Sequence, residues 1–302
     1  MKDPSSVPWQ RGRPPPKVGS PELEAWLAEA NARYRDQELP PKQRPFQAML
    51  DFTGAFNCSL SHDSPLTRAV FDYFYRNSAP GAHQIGLLFK GAFYFDACFW
   101  PIEMPLIFGE VRLDAFKCLE TMPIEVKRDL AHDWEPYVAH WAECCDYGYG
   151  FDDIARTAGM SAKAADFLRN GDAELTGAIS QLLETRPNLK AILQLRMATE
   201  IFMKALLIQE KGLDDAGLKK LGHSIERIAE ECHATTGIST FKQVALKAGV
   251  FPDIGARYDG PELKASEVAK ALLLAQRAAA AVVRKYSGRD VRAGLSGMPN
   301  RP

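Results

Sequence analysis

The chain has no apolar run of about eighteen residues or more, and its start, MKDPSSVPWQRGRPPPK, carries no apolar signal-peptide core. A membrane-spanning helix and a secretory leader are therefore not expected, and the chain is placed in the cytoplasm. Net charge is also lacking: the balance of −1 predicts no strong general attraction to nucleic acid or to an acidic membrane surface. The six cysteines (Cys58, Cys98, Cys118, Cys144, Cys145 and Cys232) form no CxxC pair and fit small buried residues of a reducing compartment. There is no GxSxG elbow, and Gly86 and Gly91 make no phosphate loop, which argues against an α/β-hydrolase, a P-loop ATPase and a Rossmann dehydrogenase. Neither an internal repeat nor a coiled-coil heptad is present.

Two minor constellations add little. His140 and Cys144 stand four apart, a spacing that can present two metal ligands, but no third or fourth ligand follows at a recognisable distance. His62-Asp63-Ser64 holds the residue types of a hydrolase triad in adjacent positions, which cannot build one. No metal and no cofactor is expected.

What is present is ordinary globular composition: 302 residues, 46% hydrophobic and 25% charged, enough for two domains. Charge is unevenly divided. Residues 1–150 carry 15 Lys+Arg against 20 Asp+Glu, and residues 151–302 carry 22 against 18, so the halves stand at −5 and +4. The C-terminal half is the better place for a phosphate-bearing partner.

Residues 1–19, with Pro4, Pro8 and Pro14 to Pro16, read as a flexible tail. Ser20-Pro21-Glu22 is a helix start, followed by a stripe of Leu23, Trp26, Leu27, Ala30 and Tyr34. Residues 46–60 leave a strand and irregular core both open. Ser64-Pro65 opens a second helix through Val70, Phe71, Phe74 and Tyr75. From Ile85 to Trp100 an aromatic run fits a buried strand or a buried helix, and the helical neighbours tip the reading toward helix. The aromatic residues of 46–100 read as core rather than as a base-stacking surface. Residues 114–121 and 123–145 read as helical, the second kinked at Pro136, and Gly148-Tyr149-Gly150 marks a domain boundary. A final helix runs from about Pro261 through Ala278 to Ala281 and ends at Ser287-Gly288; residues 289–302 read as a mobile tail.

The most legible stretch is Ala191 to Cys232. Ile192, Leu195, Ala198, Phe202, Ala205 and Leu206 recur at three- and four-residue steps, and Gly212 with Asp214 and Asp215 ends one helix and begins another. A helical hairpin follows. Glu200 and Lys204 stand at i and i+4 in the favourable order, worth roughly 0.2–0.5 kcal/mol on an exposed helix. The second arm brings Lys219, Lys220, Gly222-His223, Ile225 and Ile228.

A Glu and a Lys in an apolar helix, then Gly-His before an amphipathic helix, then Arg257-Tyr258 before an Ala-rich helix: this series resembles the HEPN superfamily over about residues 155–288. The resemblance implies an antiparallel HEPN-like bundle over residues 151–288; it leaves the first half unexplained, and there the residues themselves read as an N-terminal α or α+β domain over 20–150, so that the protein is mainly α. It also implies pairing into a homodimer and binding of RNA or nucleotides in stress response or anti-phage defence. Glu200, Lys204, His223, Arg257 and Tyr258 would then face the ligand; read from the residues alone, His223 fits better a ring that hydrogen-bonds within the hairpin and fixes the turn, and Glu200 and Lys204 fit equally a buried pair that sets the packing register.

Catalytic members of the family carry an Arg and a His four to six residues apart, and Arg227 and His233 have that spacing. In metal-independent RNA cleavage the His would move a proton and the Arg would stabilise charge at phosphorus. Against this, Arg227 is followed by apolar Ile228, and no His follows Arg257. Three readings result: an RNA- or nucleotide-binding module; an endoribonuclease using Arg227 and His233; and a helical adaptor for a protein partner, which the N-terminal domain also has room to bind.

Overall fold

The computed structural model describes residues 14–58, 64–78, 87–106, 112–156, 159–252 and 263–296. The chain is mainly α, with a single two-stranded sheet among the described residues. It divides into two compact units, Met1–Gly86 and Leu87–Pro302, each with its own apolar core.

The first unit contains α1 (Pro21–Asp36), α2 (Arg44–Phe56) and α3 (Pro65–Arg76). Both expected starts are realised: Ser20 Oγ accepts from Leu23 N–H and Ser64 Oγ from Thr67 N–H, with proline at the first helical position each time. All five stripe residues of α1 are buried. The stretch left between strand and irregular core is helix α2, because Pro45, Ala48, Phe52 and Phe56 recur at three and four. Trp26 meets Phe52 edge-on at 5.1 Å, and Tyr34 Oη donates to Asp51 at 2.8 Å, tying α1 to α2.

The second unit opens with a correction. The aromatic run is a β-hairpin, β1 (Phe89–Phe95) and β2 (Cys98–Met104), with Phe89 opposite Met104 and Phe95 opposite Cys98. Asp96 and Ala97 both take positive φ, the backbone of a two-residue hairpin turn, without the Asn-Gly or Asp-Gly pair that would announce it. Pro101 is tolerated because in a two-stranded sheet each strand is an edge.

Residues 114–121 form only a short 3₁₀ turn, Ala115–Cys118. The helix expected over 123–145 is two helices, α4 (Ile124–His132) and α5 (Glu135–Arg156). Pro136 lies in the first turn of α5, where its missing N–H costs nothing, and so it starts a helix instead of kinking one. No boundary falls at Gly148 to Gly150, since α5 runs straight through them. A Cβ on Gly148 would stand 2.9 Å from the Phe89 Cβ, and one on Gly150 2.6 Å from a Val283 methyl. These glycines let the hairpin and the last long helix approach α5.

Five more helices follow: α6 (Ala162–Leu182), α7 (Ala191–Lys211), α8 (Asp215–Leu221), α9 (Ile225–Thr236) and α10 (Ser239–Leu246). Last come α11 (Ala265–Ser287) and α12 (Val291–Ser296). α7 packs against α6, α9 and α11. Thirteen of its twenty-one residues are buried, more than one face can hold, so it is the central helix of the unit and not the amphipathic one its spacing suggests. The fold-back about Gly212 is present: the glycine takes φ 63° and ψ 34°, and α9 returns along α7.

The mobile tail expected over residues 289–302 needs correcting as far as Ser296. Arg289 pairs with Asp153, Arg292 with Glu143, and the Val291 N–H donates to Asp146 at 2.6 Å, which seats α12 on α5.

Candidate functional site

Arg196, Glu200 and Lys204 follow one another at four-residue steps and so line one side of α7. The opposing wall comes from the chain between α8 and α9. Asp214 caps α8 through the Gly217 N–H at 2.8 Å, and α8 ends after two turns at Gly222, whose φ of 75° with ψ −147° suits glycine. Ser224 then caps α9 by accepting from the Arg227 N–H. Between the two caps the chain crosses α7, and His223 is laid over Glu200.

Glu200 is the centre of this cluster. Its Oε1 accepts from Lys204 Nζ at 2.6 Å and faces His223 Nδ1 at 2.7 Å; its Oε2 lies 3.5 Å from an Arg196 guanidinium nitrogen. Arg196 also donates to the His223 carbonyl at 2.7 Å. The Glu200 and Lys204 side chains are each 9% exposed, that of His223 68%. A carboxylate already accepting from an ammonium has no proton to give, so His223 Nδ1 carries the hydrogen and Nε2, on the open ring, is left to solvent or ligand. Apart from His223, two cations face one carboxylate, so the cluster holds one surplus positive charge. Lys219 and Lys220 add two exposed cations on α8.

Three residues singled out from sequence, Glu200, Lys204 and His223, are thus brought together. Arg196 is the fourth member, and its place four residues before Glu200 was the signal available. Arg257 and Tyr258 lie outside the described residues. Arg227 and His233 sit at opposite ends of α9, about 9 Å apart along the axis and about a third of a turn apart around it. Arg227 is exposed in the first turn. His233 is half-buried, with Nδ1 3.1 Å from the Ile238 carbonyl beyond the helix end. Within one chain these two do not converge on a common phosphate.

A second polar cluster, unforeseen from sequence, binds α5 to α11. Glu143 and Asp146, both buried, receive Arg284 at 2.5 and 2.9 Å. Burial raises the Asp146 carboxyl, while the Val291 N–H and Arg284 hold it down. His140 and Cys144 are enclosed beneath the hairpin, His140 Nε2 lying 2.9 Å from the Ala92 carbonyl. Burial pushes His140 down to about 4 and raises the Cys144 thiol well above its usual range, so neither is a ready nucleophile or base. Among the described residues no three His, Cys, Asp or Glu side chains are grouped to hold a metal, and no helix is long and apolar enough to cross a membrane.

Comparisons with protein-family models, with curated proteins and with solved structures find no match to this chain. The likeness to the HEPN superfamily rests on the residues themselves.

Proposed function

We propose that the larger unit is a HEPN-like module that binds RNA or nucleotides at the corner where Gly222-His223 crosses α7, acting in a stress-response or anti-phage setting as a homodimer. The supporting observation is the Glu200 cluster. One buried carboxylate holds Arg196, Lys204 and His223 with a net positive charge, and it leaves the His223 ring outermost, a few residues after the exposed Lys219 and Lys220 of α8. Fixed cations and an imidazole with a free nitrogen suit phosphate and base edges, and α7 supplies a rigid mount.

The test is fluorescence anisotropy with labelled single-stranded RNA, without metal, over a range of salt. Binding should weaken as salt rises because phosphate contacts release counterions, and a K219E/K220E double variant should flatten the log–log slope by about 1.4. Failure of both RNA and nucleotides to bind at low salt would overturn the reading in favour of a protein adaptor. RNA cleavage abolished by His233→Ala would instead support the endoribonuclease.

A further inference from the structure

On the α10–α11 side of the larger unit lies a pocket of about 540 Å³, within the ordinary size range of small-molecule sites. Leu246, Val250, Leu273 and Leu274 make its walls, and among the described residues every charged side chain lining it is a cation: Lys247, Lys270 and Arg277. Lys270 and Arg277 stand seven residues apart on α11, on one face about 10 Å from each other along the axis. Both lysines are exposed, and neither has an ion-pair partner among the described residues.

The charge balance behind the pocket is unequal. Arg277, Arg284 and Arg292 approach two carboxylates, Glu143 and Asp146. Glu143 gives one oxygen to Arg284 and the other to Arg292; Asp146 is taken by Arg284 and the Val291 N–H. Arg277 is left furthest out, its Nε 3.8 Å from Glu143 and without a hydrogen-bond partner although buried. Its one hydrogen bond is long, 3.5 Å to Gln243. A guanidinium stays charged, so Arg277, which shares its carboxylate neighbour Glu143 with two other arginines, brings a surplus cation to the wall of an aliphatic pocket.

We propose that this pocket binds a small amphipathic anion, an aliphatic chain ending in a carboxylate or phosphate head, with the head on Arg277 between the two lysines and the chain against the leucines. Among the described residues the lining has no aromatic ring to stack on a base and no side-chain acceptor to read one, which favours an aliphatic ligand over a nucleotide here. The site is separate from the His223 corner, so either can fail without the other.

Titration calorimetry on the full chain with octanoate, octyl phosphate, octanol and inorganic phosphate tests this. One of the two amphipathic anions should bind at least about tenfold more tightly than octanol or phosphate alone, since the head and the chain each contribute. The tighter of the two identifies the head group. Lys270→Glu, at an exposed position that leaves the fold intact, should weaken that binding several-fold, and Arg277→Met about tenfold. Equal binding of octanol and octanoate, affinity unchanged in the Lys270→Glu protein, or no binding of either anion would overturn the proposal.

Discussion

Acidification should load a proton onto one buried imidazole, and His140 is the group that makes the cost calculable. It lies under the hairpin, fully enclosed, and burial lowers it from the ordinary value of 6.5 to about 4; the Ala92 carbonyl opposes that shift and nearby Arg277 assists it. In the unfolded chain the same ring titrates near its ordinary value. Between roughly pH 6.5 and 4 the unfolded state therefore binds more protons than the folded one, and stability falls as pH falls. The contribution is complete above that window and lost at its lower end. A difference of about 2.5 pH units corresponds to about 3 kcal/mol. His140→Gln keeps an N–H for the Ala92 carbonyl but cannot titrate. Urea unfolding followed by far-UV circular dichroism at pH 7, 6, 5 and 4 should show the wild type losing about 3 kcal/mol more than the variant across the series. Asp146 and Asp172, both raised by burial, titrate in the two proteins alike and drop out of the difference. Parallel pH profiles would refute the reasoning.

Two further outcomes follow from packing and charge. Gly150→Ala would place a methyl 2.6 Å from Val283 and 2.7 Å from the Ser287 hydroxyl, so the melting temperature should fall by an amount matching about 1–3 kcal/mol, although alanine is the better helix former; a rise would show that α5 and α11 do not need their close approach. Glu200→Ala leaves Lys204 buried without its carboxylate and should cost about 3–5 kcal/mol in urea unfolding. A loss below about 1 kcal/mol would place the pair in solvent, as expected for an exposed intrahelical pair.

How far residues alone revealed this structure depended on whether the signal was local. Ser20-Pro21 and Ser64-Pro65 both read as helix starts and act as caps, since a cap is decided within four residues. Gly212 ended its helix for the same reason. The hairpin was misread because Asp96-Ala97 is a poor advertisement of a turn, and because a near-continuous apolar, aromatic-rich run looks alike in a buried strand and a buried helix. Gly148 and Gly150 were misread because a glycine that admits a neighbour across space has the same local appearance as one that ends a helix. In the candidate site, Glu200 and Lys204 stood out as polar residues in an apolar helix, and His223 stood out in the Gly-His pair before the next one. That His223 would close on Glu200 required the path of α8, and Arg277's surplus charge required Glu143, more than a hundred residues away, to be counted in.

The proposed function depends most on the His223 corner being where RNA or nucleotide phosphates meet the protein. Hydrogen exchange of the full chain, with and without saturating single-stranded RNA, tests this directly. Slowed exchange concentrated in residues 213–227, and lost in a His223→Ala/Lys219→Glu/Lys220→Glu variant, is the predicted result. Unchanged exchange there, or protection confined to other segments, would contradict it.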